Sequence, residues 1–109
     1  MSLDFVLVRS HGQPRVLSEI KEDAAFKRND YTDLAERLFG PVPWTGGTAI
    51  AVRDEMSFEL TPHDSSLSVT ARGPGDTVAF MDNIAALAVK EGVVTIDVQG
   101  SEIMLPFNE

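Results

Sequence analysis

The chain has 109 residues, a formal charge of −8 from 17 acidic against 9 basic side chains, and no cysteine. One domain of ordinary size fits this length, and a single core can hold it without covalent staples. The missing cysteines exclude disulfides, thiolate catalysis and cysteine-ligated zinc, and a chain without a basic footprint has no expected nucleic-acid partner. An acidic surface favours solubility, cations or a basic protein partner. The opening "MSLDFVLVRS" carries neither the positive n-region nor the small-residue cleavage site of a signal peptide. No run approaches the ~18 apolar residues of a membrane span, so a cytoplasmic protein without a membrane partner is expected.

"LDFVLVR" (3–9) reads as a first strand, bounded by the polar "SHGQPR". Leu3, Phe5 and Leu7 face one way and Val6 and Val8 the other, the pattern of a strand covered on both sides. Residues 10–29 admit either a short helix or a long loop. Tyr31, Leu34, Ala35, Leu38 and Phe39 then fall at helical spacing, with Asn29 or Asp30 as cap and Gly40-Pro41 as stop. "GPVPWTGG" connects this helix to the sheet.

"TAIAVR" (48–53), "MSFELT" (56–61) and "LSVTAR" (67–72) alternate apolar and polar residues, as antiparallel strands with one wet face do. Tight turns at 54–55 and 62–66 make them a meander. "DTVAFMDNIAALAVKEG" (76–92) predicts a second helix, capped by Asp76 and closed by Gly92. Phe80, Met81, Ile84, Leu87 and Ala88 are its expected apolar face. A last hairpin follows: "VVTIDV", a turn at Gln99-Gly100, then "EIML", stopped by Pro106. The order β-α-β-β-β-α-β-β with one wet sheet face predicts an α+β two-layer sandwich, mainly antiparallel, both helices on one face. An edge strand left open in such a sheet also permits a homodimer.

Few residues suggest chemistry. His63-Asp64 offers a base beside an acid, but sequence neighbours rarely aim at one proton, and "PHD" is satisfied as a turn. His11 lies in a Gly/Pro-rich loop at no metal-binding spacing from any other ligand type, so no metal or cofactor is expected. "GPVPWTGGT" lacks the Walker lysine and leads into a strand; "RGPGDT" opens a helix, but Asp76 already puts negative charge where an anion would sit. Asp97 and Gln99 break an apolar run. Val94, Ile96 and Val98 face one side, while Val93, Thr95, Asp97 and Gln99 face the other, more polar side, where Asp97 can accept backbone N–H groups and hold the hairpin. No catalytic residue is therefore assigned.

Trp44 serves either as a seal at the core's edge or as an interface anchor. Asp54, Glu55 and Glu59, joined by Asp64, form an expected acidic rim at one end of the sheet or along its open face. "LFGPVPW", the meander and "IAALAVKEGVVTIDVQ" together resemble a loose group of small bacterial α+β proteins. These carry an aliphatic-Ala pair, a Gly and a D-x-Q strand near the C-terminus, and some sit beside toxin genes as suspected immunity proteins. The resemblance spans residues 31 to about 105; Val98 stands where a Pro is common, and no catalytic residue carries over. The leading expectation is a non-enzymatic interaction module, an immunity or inhibitor protein that docks a basic partner through Trp44, Asp54, Glu55, Glu59 and Asp64. The alternatives are a small-molecule site near Trp44 and a small enzyme using His63, Asp64 or Asp97.

Overall fold

The computed structural model describes residues 2–12 and 14–105; Pro106, expected to stop the last strand, lies outside them. The strands are β1 (Ser2–Arg9), β2 (Trp44–Thr45), β3 (Thr48–Arg53), β4 (Met56–Pro62), β5 (Leu67–Arg72), β6 (Val93–Asp97) and β7 (Glu102–Ile103). The helices are α1 (Arg28–Phe39), between β1 and β2, and α2 (Thr77–Val89), between β5 and β6. All seven strands form one antiparallel sheet in the order β2-β3-β4-β5-β1-β6-β7. The expected α+β class is therefore what forms, with one more strand than the sequence pattern shows.

The extra strand is β2. Gly46 and Gly47 both take positive φ (60° and 86°), the two-residue turn that matches the twist of a hairpin. Trp44 is thereby paired with Ala49, where a loop was expected. The preceding span, Gly40–Pro43, returns along the outer side of β3. Its start is fixed by the Arg53 guanidinium, which donates to the Phe39 carbonyl, and its end by the Trp44–Ala49 pair. Two of its residues are prolines, which have no N–H for an incoming strand. With two-residue strands at both sheet edges, little ladder is left for a second copy.

The helices cover one face. Leu34, Ala35, Leu38 and Phe39 of α1 and Met81, Ile84 and Ala88 of α2 are buried against Phe5, Leu7, Phe58, Leu60, Leu67, Val69 and Val93. The aromatic centre is a run of tilted and stacked rings, Phe39, Phe58 and Phe80, with 4.6 Å between the centroids of Phe58 and Phe80. Two expectations about the helices shift. Leu87 is 45% exposed and Ala85 takes its place inward, because α2 meets β6 and α1 along a narrower stripe than the spacing allows. Helix α1 starts at Arg28, so Asp30 sits inside the first turn, where its carboxylate accepts from the Lys27 N–H at 2.8 Å.

The other face is not wet throughout. The described residues of 10–23 leave β1, make a 3-10 turn at Leu17–Glu19 and come back, with His11 N–H donating to the Lys21 carbonyl and Asp23 N–H to that of Arg9. This return lays Ile20 on a second cluster of Val8, Val94 and Ile103, flanked by Val6 and Ile96. Strand β1 is thus covered on both faces, as its apolar run predicts. The expected polar side of β6 is reversed: Thr95 pairs with Leu7 under the helices and is 1% exposed.

Two buried hydroxyls contrast. The Tyr31 hydroxyl accepts from the Arg9 N–H (2.9 Å) and donates to the Ser65 carbonyl (3.1 Å), tying α1 to β1 and to the β4–β5 turn. Thr95 Oγ1 has no partner among the described residues. Tyr31→Phe should cost about 1–3 kcal/mol by orphaning two backbone groups, whereas Thr95→Val should gain about 1 kcal/mol; urea unfolding measures both. Burial raises the Tyr31 pKa above its ordinary 10.0. A raised phenol pKa stabilises the fold fully below the unfolded value and less as pH climbs through the folded one. Since Tyr31 is the only tyrosine, an alkaline absorbance titration should show its midpoint above 10, moving down to about 10 in denaturant.

Candidate functional site

Antiparallel pairing sorts the loops into two ends. The β3–β4 turn, the β5–α2 connection, the start of β1 and the β6–β7 turn share one end, as the pairs Arg53–Met56, Ser57–Arg72, Ser2–Arg72 and Asp97–Glu102 require. The β4–β5 turn, the β2–β3 turn, the start of α1 and the start of β6 share the other.

The first end is acidic. Asp54 and Glu55 form the β3–β4 turn, both exposed, with Asp54 at positive φ (56°). The β5–α2 connection lies against them: a methyl group on Gly73 would collide with the Glu55 carbonyl, and one on Gly75 with the Met56 side chain. Only glycine permits that approach at Gly73, whose φ is +122°. The contact carries Asp76 to the same rim, where its Oδ1 accepts from the Ala79 N–H at 3.0 Å and caps α2. Among the described residues, no ion pair involves Asp54, Glu55 or Asp76. The nearest cations by strand register are engaged elsewhere, Arg53 with the Val52 and Phe39 carbonyls and Arg72 with Glu59 at 3.2 Å.

The four expected acids do not converge. Glu59 sits on the open face in its bridge to Arg72. Asp64 lies at the far end of β4 from Asp54 and Glu55 and pairs with Arg28 at 3.0 Å. The strand of Met56–Pro62 between them puts roughly 20 Å of extended chain between the two turns. Asp76 caps α2 as its place after "GPG" predicts, and it also belongs to the rim, which sequence reasoning did not foresee. The glycines of "RGPGD" were its one available signal, since close backbone approach is a reason for glycine at such positions.

Trp44 lies at the second end. Its indole N–H donates to Glu36 Oε2 at 2.9 Å, and its ring is half-buried beside the core. It lines a cleft of about 370 Å³ with Arg28 and Thr32 of α1, Gly46 and Gly47 of the turn, and Thr48, Thr61, Pro62 and His63 of the strands. Trp44 and the rim of Asp54 and Glu55 therefore do not form one surface.

The residues considered for catalysis separate. His63 Nε2 is 3.0 Å from Ser68 Oγ and Asp64 turns to Arg28, so the two are not a base and its orienter. His11 is 3.8 Å from Asp23 and largely exposed. Asp97 holds the hairpin: its Oδ1 accepts from the Gln99 N–H (3.1 Å), the Gln99 side-chain amide (2.7 Å) and the Gly100 N–H (3.4 Å). The Gln99 side chain in turn bonds both the N–H and the carbonyl of Asp4, which fastens the turn to β1. Among the described residues no three His, Asp or Glu side chains gather as metal ligands do, and no helix is long and apolar enough to cross a membrane.

These features define a small α+β protein with an acidic sheet end and a separate polar cleft. No family model, curated protein or solved structure matches the chain. Asp97→Ala should lower stability by about 1–2 kcal/mol through loss of the hairpin bonds and speed amide exchange at Gly100, with the rest of the sheet protected; exchange spread evenly over the sheet would count against a local clasp.

Proposed function

We propose that this protein is a non-enzymatic interaction module that docks a basic protein partner, as an immunity or inhibitor protein would. One observation carries the reading: Asp54, Glu55 and Asp76 share a rim built from two abutting loops, and both neighbouring arginines are spent on other groups. Carboxylates presented without an ion-pair partner raise the local negative potential, which steers a cationic surface into contact and speeds association at low salt. The net charge of −8 adds to the same field. The likeness of residues 31 to about 105 to small proteins encoded beside toxins supports the immunity variant of this reading.

The structure also alters which acids should matter. Glu59 and Asp64 each stand beside an arginine whose positive charge offsets theirs, so they add little to the negative potential of the surface. Asp76 caps α2, so its replacement would mix binding with stability. Asp54 and Glu55 are the clean positions.

The test is affinity capture from a lysate of the source organism at low salt, followed by association kinetics with the protein captured. A basic partner released at high salt is expected. The double variant Asp54→Asn/Glu55→Gln should slow its association about three- to tenfold, while Glu59→Gln and Asp64→Asn leave the rate within about twofold. Equal rates for the wild type and the double variant would remove the rim from the interface.

A further inference from the structure

Strand β3 carries an apolar surface that the core does not use. Its side chains alternate, so Ala49 and Ala51 enter the core, each 2% exposed, while Ile50 and Val52 stand on the open face, 53% and 60% exposed. Among the described residues no large apolar side chain is more exposed than Val52. The segment that covers part of this face lies over β1 and β6, and β4 and β5 separate it from β3. Branching at Cβ suits both residues to a strand. Threonine would meet that preference and stay polar, as Thr48, Thr61 and Thr70 do on the same face.

The surroundings of the pair decide what it meets. By register Ile50 lies beside Glu59, which is bridged to Arg72, and Val52 beside Ser57. Two residues past Val52, about 7 Å of extended chain, begins the turn of Asp54 and Glu55. Neither acid has an ion-pair partner among the described residues. An apolar spot edged by carboxylates has the layout of a protein interface, with an apolar centre and a charged margin. A second copy of this chain is the wrong occupant, because it would bring its own charge of −8 and its own acidic rim to the contact. An added strand is the wrong occupant too, since Gly40–Pro43, with its two prolines, runs along the outer side of β3.

We infer that Ile50 and Val52 are the apolar centre of the surface that docks a basic protein, with Asp54 and Glu55 as its charged margin. The inference rests on the docking role proposed above and adds what the rim alone does not supply, a contact that holds once charge has steered the partner in. Long-range charge acts mainly on the association rate, and buried apolar contact mainly on the dissociation rate. The fitting partner surface has lysine or arginine side chains around an exposed aliphatic or aromatic patch.

A benzophenone amino acid placed at position 52, and separately at position 54, will cross-link what touches each site in cells of the source organism. The same basic protein is expected from both positions. With that protein, Ile50→Thr/Val52→Thr should speed dissociation about tenfold and leave association within about twofold. Asp54→Asn/Glu55→Gln should show the opposite split. Threonine keeps the branching at Cβ, so the strand should persist; should the double variant unfold, Val52→Thr alone should speed dissociation about threefold.

A basic protein cross-linked from position 54 alone, or unchanged dissociation in a folded threonine variant, overturns this inference and leaves the rim in place. A second copy of the chain cross-linked from position 52 overturns it by naming the other occupant. A product from position 52 alone, or from neither position, removes both this inference and the rim.

Discussion

The register of β1 between β5 and β6 is the constraint on which the rest depends. Phe5 stands between Val69 and Asp97, and Leu7 between Leu67 and Thr95. This one strand joins the meander to the C-terminal hairpin. Because side chains alternate faces, Phe5 and Leu7 enter the helix-covered core while Val6 and Val8 build the second cluster. A slip of one residue would exchange the two sets, putting Val6 and Val8 where Phe5 and Leu7 fill the main core and forcing the two larger side chains into the smaller cluster. Cross-links from elsewhere hold the register: Tyr31 bonds the Arg9 N–H at one end, and Gln99 bonds Asp4 at the other.

Once β1 is placed, the two ends of the sheet follow, and so does the distribution of charge. The acidic end needs the β3–β4 turn and the β5–α2 connection in backbone contact, which glycine at position 73 permits. The cleft at the other end needs α1 to begin beside the β4–β5 turn, a placement secured by the Arg28–Asp64 and Tyr31–Ser65 contacts. The acidic rim and the cleft thus lie at opposite ends of the same strands.

Much of the architecture was legible because it rests on local periodicity. The stripe Tyr31, Leu34, Ala35, Leu38 and Phe39 is buried as its spacing predicts, and the meander strands alternate as written. The cap at Asp76 was likewise readable, since an aspartate after "GPG" has few other uses. The misreadings have a common origin in what packs against an element. Leu87 and Ala85 are both on the core-facing half of a helical wheel, and only the position of β6 selects Ala85. Strand β2 is too short for any pattern; it is defined by its pairing with β3 and by two glycines that allow the turn. Residues 10–23 contain no periodic element because most of their order comes from returning to the end of β1.

The sequence by itself determined the class of the fold, the absence of cysteine chemistry, the acidic balance and the hairpin role open to Asp97. These depend on composition, spacing and side-chain reach over a few residues. Tertiary structure decided which acids meet. Asp54 and Glu55 are joined by Asp76, twenty-odd residues on in the chain, while Asp64, though closer in sequence, is carried to the other end. It also decided which face of β6 is buried and that Trp44 looks onto a cleft with Arg28 and His63. Each of these is a distance between residues far apart in the chain, set by strand order and register, and no local pattern of residues encodes such a distance.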